Sequence, residues 1–212
     1  MVVLKETQVT ISGNQKADLY QTIWKKFTEG DDQALSSLYF DFFDSLLNFG
    51  MKYSSDRFLV EDCIQNLFVD LLKNRDKQRP VQHIRFYLYK GLRNQLAYEK
   101  RKVRKLIPVE EPGETDFRIS YSVENLLIVS ETDNLQAKFL KLITDRLTAR
   151  QKEALYLKFN CGFDYIQISE LMQISVESAR TIIYRTLKSI KDTFGPDTYA
   201  NILFVCCLRP IQ

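Results

Sequence analysis

Apolar residues in this chain recur in steps of three and four almost throughout, and only 7 glycines and 5 prolines interrupt them. That period lays an apolar stripe along one side of an α-helix, whereas a half-buried strand needs strict alternation. The expected fold class is therefore all-α. Leu35, Leu38, Tyr39, Phe42, Leu46 and Phe49 form one such stripe, in a helix opened by Asp31 and Asp32. Val60, Ile64, Leu67, Phe68 and Leu71 form the next, leaving Asp62, Gln65, Asn66 and Asp70 on other faces. With 45% hydrophobic and 12% aromatic residues, the chain has enough material to bury real cores.

The punctuation divides these stripes into two bodies. Residues 1–18 read as a flexible tail, with a short helix from Leu19 to Phe27 that breaks at Gly30. Gly50 and the Ser54–Ser55–Asp56 cluster separate the first two stripes, and the polar loop KNRDKQRPVQ leads into a long basic helix from about His83 to Lys105. Pro108, Pro112 and Gly113 mark a linker made acidic by Glu110, Glu111, Glu114 and Asp116. Further helices are expected at about 134–145, 148–160, 164–172 and 175–192. Thr148 with Gln151, and Asp164 with Gln167, have capping-box spacing, and Ser175 is a good N-cap. The predicted organisation is a first helical domain over 19–106, a linker over 107–130, a second domain over 131–195 and a tail over 196–212.

Charge and cysteine usage narrow the function classes. Between Lys73 and Lys105 stand twelve Lys or Arg against two acids, although the whole chain carries only +3. Such a block is the footprint of a polyanion partner or, equally, of a solvated helix face. Cys63, Cys161, Cys206 and Cys207 lack C-x-x-C spacing, and His83 is the sole histidine. No metal site, disulfide framework or cofactor is expected. No run of 18 apolar residues spans a membrane, and the opening MVVLKETQVTISGNQK does not read as a secretory signal. A reduced, cytoplasmic setting is the expectation. Neither a glycine-rich phosphate loop nor G-x-S-x-G occurs, so an enzyme or a small-molecule substrate is not expected.

The segment FDYIQISELMQISVESARTIIYRTLKSI has the grammar of a helix-turn-helix, with Gln173–Ile174–Ser175 as the turn. Ile166, Leu171 and Ile174 are expected to pack against Val176, Ala179, Ile183, Leu187 and Ile190, with small Ser169 allowing close approach. Ser175, Glu177, Ser178, Thr181, Ile182, Tyr184, Arg185 and Lys188 would then line the outer side. A helix in the major groove needs short polar or Arg side chains for base edges and flanking cations for phosphates. Arg180, Arg185 and Lys188 supply the cations. Spacing alone also fits an ordinary helical hairpin.

The segment from LTARQKEALYLKFNCGFDYIQ to the end of that hairpin resembles the C-terminal domain of sigma factors, whose wording runs "L-P-x-R-x-R-x-V-x-L-L-R-x-x-x-G-x-S-Y-x-E-I-A". Leu147, Arg150, Gln151, Gly162, Tyr165, Ile166, Leu171, Ile174 and Ser175 match that wording and its continuation "A-x-x-L-x-I-S", or nearly so. Independently, EGDDQALSSLYFDFFDSLLNFG and the later VEDCIQNLF resemble the sigma segment that begins "G-D-x-x-A-F" and ends "A-E-D-x-x-Q-E-x-F". IRFYLYKGLRNQLAYEKRKVRK resembles its "F-x-x-W-L-x-x-I-A-R-N" helix, with Arg93–Asn94 in place. The two sets cover about residues 20 to 194, and the short linker points to the extracytoplasmic-function group of the sigma-70 family. The YRTLKSIK ending and the IWKKF helix are similar to sigma factors of the Bacteroidetes type. Asn66 stands where the family usually has Glu, Leu72 where an aromatic is common, and Ile182 where Arg is frequent.

The resemblance implies a specificity subunit of RNA polymerase that directs promoter recognition, DNA melting and transcription initiation. It assigns Asp62, Gln65 and Asn66 to the clamp helices of the polymerase β′ subunit, with the second domain near the β flap. Melted DNA at the −10 element falls to Asn74, Arg75, Lys77, Arg79, Arg85, Tyr87, Arg93 and Asn94. Single-stranded bases stack on aromatic side chains while nearby cations hold the backbone. Of the adjacent Phe86 and Tyr87, Tyr87 is expected to be the exposed ring. Duplex DNA at the −35 element falls to the outer face of the reading helix, and an anti-sigma factor is an expected partner. A plain helix-turn-helix repressor, or a sigma-like antagonist that never touches promoters, are the rival readings. The repressor leaves the D-C-I-Q-N-L-F and L-R-N-Q segments without a reason.

Overall fold

The computed structural model describes residues 13–78, 80–106, 117 and 146–194. Among them the chain is helical, with no strand. Helix α1 (Gly13–Thr28) begins within the stretch expected to be a tail, six residues before Leu19. It anchors itself by Trp24 and Phe27, both buried. Gly30, at φ +114, breaks the chain in a conformation that L side chains rarely adopt. Asp31 then caps α2 (Asp32–Gly50), its carboxylate accepting from the Gln33 and Ala34 amides at 2.9 and 3.3 Å. The expected stripe is buried from Leu35 to Phe49, with Tyr39 half-buried over Phe68.

Asp56 caps α3 (Arg57–Lys73), whose apolar stripe is fully enclosed. Helices α2 and α3 touch so closely that a Cβ on Gly50 would run into Val60 Cγ1. A 3₁₀ turn (Arg75–Lys77) leads to α4 (Ile84–Leu106), which buries Ile84, Leu88, Tyr89, Leu92 and Leu96 against α2 and α3. These four helices make the first body.

Among the described residues the second body has three helices. Thr148 and Gln151 close their capping box at the start of α5 (Ala149–Leu155), which runs on into a π-helical turn at Tyr156–Asn160. Asp164 and Gln167 do the same for α6 (Tyr165–Met172). Gln173 turns the chain in the left-handed region, φ 54 and ψ 48, before α7 (Val176–Phe194). The expected helix at 134–145, the linker apart from Phe117, and the tail with Cys206 and Cys207 lie outside the described residues.

The two bodies share one core. Phe49 and Tyr89 of the first meet Tyr156 and Phe163 of the second, with Tyr89 and Phe163 ring centroids 5.4 Å apart. Burying such rings is the main favourable term in bringing the halves together.

Candidate nucleic-acid interface

The reading helix is held by its own local chemistry. Leu171, Ala179, Ile183 and Ile190 are buried, while Ile174, Val176 and Leu187 are half-buried. Ser169 is buried too and returns its hydroxyl to the Ile166 carbonyl at 2.7 Å, so α6 and α7 approach without an orphan polar group. Ile166 departs from expectation: it is 60% exposed, because Ile168 and Leu171 already fill the inner side of this short helix. The Ser175 hydroxyl accepts from the Ser178 amide at 3.1 Å and bonds the Ser178 hydroxyl at 2.8 Å, capping α7.

Beyond the cap, Glu177, Ser178, Arg180, Tyr184, Arg185 and Lys188 are exposed along one outer side. Thr181 and Ile182 are half-buried, and Ile182 packs against the core, so its side chain is shared between interior and surface. Two further residues join this surface without having been singled out for it. The Tyr165 ring lies under both the Lys158 ammonium, at 4.7 Å, and the Arg180 guanidinium, at 5.5 Å. Both cations are thereby fixed beside the start of the reading helix. A tyrosine flanked by cations far apart in sequence gives no periodic signal, which is why spacing alone missed it.

The groups expected at the −10 element divide into three sets. Lys77 and Asn94 are exposed, as is Asn74, whose side-chain amide donates to the Asp70 carbonyl. Arg75 pairs with Asp32 and lies over the Phe27 ring at 5.2 Å, holding the 3₁₀ turn to the first body. Arg85 is half-buried over Tyr89, and Arg93 turns inward to Glu153. Arg79 lies outside the described residues. Tyr87 is not the exposed ring that was expected. It is half-buried, packs edge-on to Trp24 and donates its hydroxyl to Gln78 at 3.1 Å, because α1 covers that side of α4. Phe86 is also half-buried, against Phe163. Trp24, Lys25, Gln78, Pro80 and Gln82 help to line a cleft of about 550 Å³ beside this loop.

On α3, Asp62, Gln65 and Asn66 are exposed together, as the spacing predicts, and Phe68 beneath is 6% exposed. Val69 and Leu72 add exposed apolar surface to the same helix, at 43% each.

The seam between the bodies holds the most perturbed groups. Glu153, 1% exposed, accepts on Oε1 from Arg93 Nη2 at 2.8 Å and from the Tyr53 hydroxyl at 2.9 Å. Burial raises its carboxyl above the ordinary 4.5, against the opposing pull of Arg93, Tyr53 and Arg150. Burial, reinforced by Glu153, likewise holds the Tyr53 phenol well above its usual range, and burial pushes the Cys161 thiol up to about 12. Among the described residues no cluster of three metal-ligating side chains occurs, and no helix is long and apolar enough to cross a membrane.

Comparison with known proteins adds independent findings. Residues 140–190 match the family model for sigma-70, region 4, which includes the whole hairpin up to Ile190. The ECF RNA polymerase sigma factor EcfG of Rhodopseudomonas palustris (strain TIE-1) is 24% identical over 161 residues, covering 72% of this chain and 85% of that protein. The solved structure of CnrH in complex with the cytosolic domain of CnrY shares the fold at a TM-score of 0.52 and 16% identity, covering 84% of this chain and 96% of CnrH. The sigma factor RpoE, solved with the anti-sigma factor NepR from Bartonella quintana, aligns at a TM-score of 0.49 with 17% identity, covering 74% and 94%. Residues 140–190, with the capped reading helix, thus carry a sigma-70 region 4 domain, and this match together with the likeness to EcfG supports an extracytoplasmic-function sigma factor directing transcription initiation.

Proposed function

We propose that this sigma factor works by binding alone, gripping core RNA polymerase with its first body and reading promoter DNA with both. The observation that carries the reading is the outer side of α7, where Arg180, Arg185 and Lys188 flank Glu177, Ser178 and Tyr184 just beyond a well-formed cap. Short polar groups and an Arg at the start of a helix suit base edges, and the flanking cations suit phosphates. Ser175, Thr181 and Ile182 complete the −35 surface in this proposal, with Ile182 offering an apolar contact to a thymine methyl.

Asp62, Gln65 and Asn66 dock on the β′ clamp helices, and the exposed Val69 and Leu72 beside them give that contact an apolar component. Asn74, Lys77, Arg79 and Asn94 reach the melted −10 strand, together with Arg75, Arg85, Tyr87 and Arg93 once their internal partners are exchanged. The second body meets the β flap. An anti-sigma factor restrains the free protein. Family resemblance supports that partner, as does the CnrH structure, which holds the cytosolic domain of a second protein. The proposal extends to a cytoplasmic location and, from the IWKKF and YRTLKSIK segments, to the Bacteroidetes type.

Co-elution with purified core polymerase tests the docking. The wild-type chain co-elutes, and the Asp62→Ala/Gln65→Ala variant elutes alone while keeping its helical circular dichroism. Should that variant still co-elute, the α3 face is not the docking surface.

A further inference from the structure

We infer that Tyr165 is a positioning residue for the −35 surface, its aromatic ring holding Lys158 and Arg180 together as a paired grip on backbone phosphates. The inference rests on the proposed −35 role of α7 and adds Lys158 to it.

The three side chains come from three separate elements. Lys158 stands in the π-helical turn Tyr156–Asn160, which closes with amide bonds from Cys161 to the Tyr156 carbonyl and from Phe163 to the Leu157 carbonyl, at 3.0 Å each. Turns of this kind are rare and recur at functional sites. From it the Lys158 ammonium reaches forward along the chain, donating to the Phe163 carbonyl at 3.5 Å and lying 4.7 Å from the Tyr165 ring centroid. Tyr165 is the first residue of α6, half-buried and packed against the core, with its backbone held by the Asp164–Gln167 capping box. Arg180, exposed in the second turn of α7, lies 5.5 Å from the same centroid.

Two like charges gathered on one ring repel each other, so the arrangement needs a reason. Among the described residues no carboxylate forms an ion pair with Lys158 or Arg180. Asp164, next to Tyr165 in sequence, commits its carboxylate to the Gln167 amide at 2.8 Å, and exposed Glu177 pairs with neither cation. The negative face of the ring offsets the repulsion and confines two flexible stems, while leaving their charge uncancelled. A phosphate backbone supplies the missing anion. Cations placed before the DNA arrives lose less side-chain freedom on binding, which favours the complex. Contacts of this kind carry no sequence information; they set where α7 enters the groove, so that Arg185 and its neighbours meet base edges in register. Both contacts are to the ring, and the Tyr165 hydroxyl takes part in neither.

Salt dependence tests this directly. The chain assembled with core polymerase is titrated, at several salt concentrations, against a promoter fragment selected from random upstream sequences, and binding is read by fluorescence anisotropy. Each phosphate contact contributes ~0.9 to the slope of log affinity against log salt. Tyr165→Leu makes that slope shallower by ~0.9 to ~1.8, with equal loss on cognate and scrambled −35 blocks, and Tyr165→Phe, which keeps the ring, restores the wild-type slope. Adding Tyr165→Leu to Lys158→Ala/Arg180→Ala lowers the slope no further. A folded Tyr165→Leu variant with the wild-type slope overturns the inference. So does Tyr165→Phe falling as far as Tyr165→Leu, because the hydroxyl is then the contact. Proton NMR of the free chain decides the point even if leucine unfolds it. The ring shifts the Lys158 ε-methylene protons upfield in wild type and in Tyr165→Phe, and ordinary lysine positions in both overturn the grip. A wild-type assembly that selects no promoter contradicts the proposed function, and the NMR then still judges the ring's hold on Lys158.

Discussion

Removing Arg93 has a cost that the seam geometry fixes and that pH controls. Arg93→Ala leaves the Glu153 carboxylate buried with only the Tyr53 hydroxyl as a donor. Breaking a buried pair from one side ordinarily costs about 3–5 kcal/mol. Glu153 has an escape, because it can take up a proton. From its ordinary value of 4.5, the distance to pH 7 is about 2.5 units, and at about 1.36 kcal/mol per unit protonation costs ~3.4 kcal/mol. At pH 5 the same step costs under ~1 kcal/mol. Loss of the guanidinium from the Tyr53 ring adds ~0.5–1 kcal/mol at either pH. The sign follows from linkage. The folded carboxyl titrates above its unfolded value, so the stability it confers is full below about 4.5 and is lost as pH rises through the raised value. Urea denaturation followed by circular dichroism therefore shows Arg93→Ala destabilised by ~4 kcal/mol at pH 7 and ~1–2 kcal/mol at pH 5. In the Arg93→Ala/Glu153→Ala double variant that pH dependence disappears. A loss from Arg93→Ala that is equal at the two pH values refutes the reasoning.

Two other expectations are simpler. Arg185→Ala weakens binding to the cognate −35 duplex by about 1–3 kcal/mol and relaxes sequence preference, read by fluorescence anisotropy on cognate and scrambled DNA; equal loss on both makes Arg185 a phosphate contact instead. Gly50→Ala destabilises the fold by about 1–3 kcal/mol despite alanine's better helix propensity, since the added Cβ would run into Val60 Cγ1, a stiff, β-branched neighbour with little room to yield, and a denaturation midpoint at or above wild type refutes this.

Periodicity and caps made the helices legible. The stripes of α2 and α3 are buried where the three-and-four spacing put them, and Asp31, Asp56, Thr148, Asp164 and Ser175 cap as their side chains allow. Local rules suffice there because every partner lies within one turn. They fail where partners come from afar. Nothing near Glu153 marks it as buried, since its donors stand at Tyr53 and Arg93, and charged residues at such positions ordinarily face water. Tyr87 was expected outside because the cover that α1 provides is invisible from α4 alone. Ile166 was expected inside because its spacing fits the stripe, but an eight-residue helix has little inner face to share. The convergence of Lys158 and Arg180 on Tyr165 is likewise a property of three dimensions.

Run-off transcription by core RNA polymerase over a library of randomised upstream DNA, followed by sequencing of the templates used, tests the whole account most directly. Adding this chain should enrich two short sequence blocks at one fixed separation, the upstream block changing with Arg185→Ala and the downstream one not. Transcripts at background level, or templates enriched for a single palindrome, would contradict it.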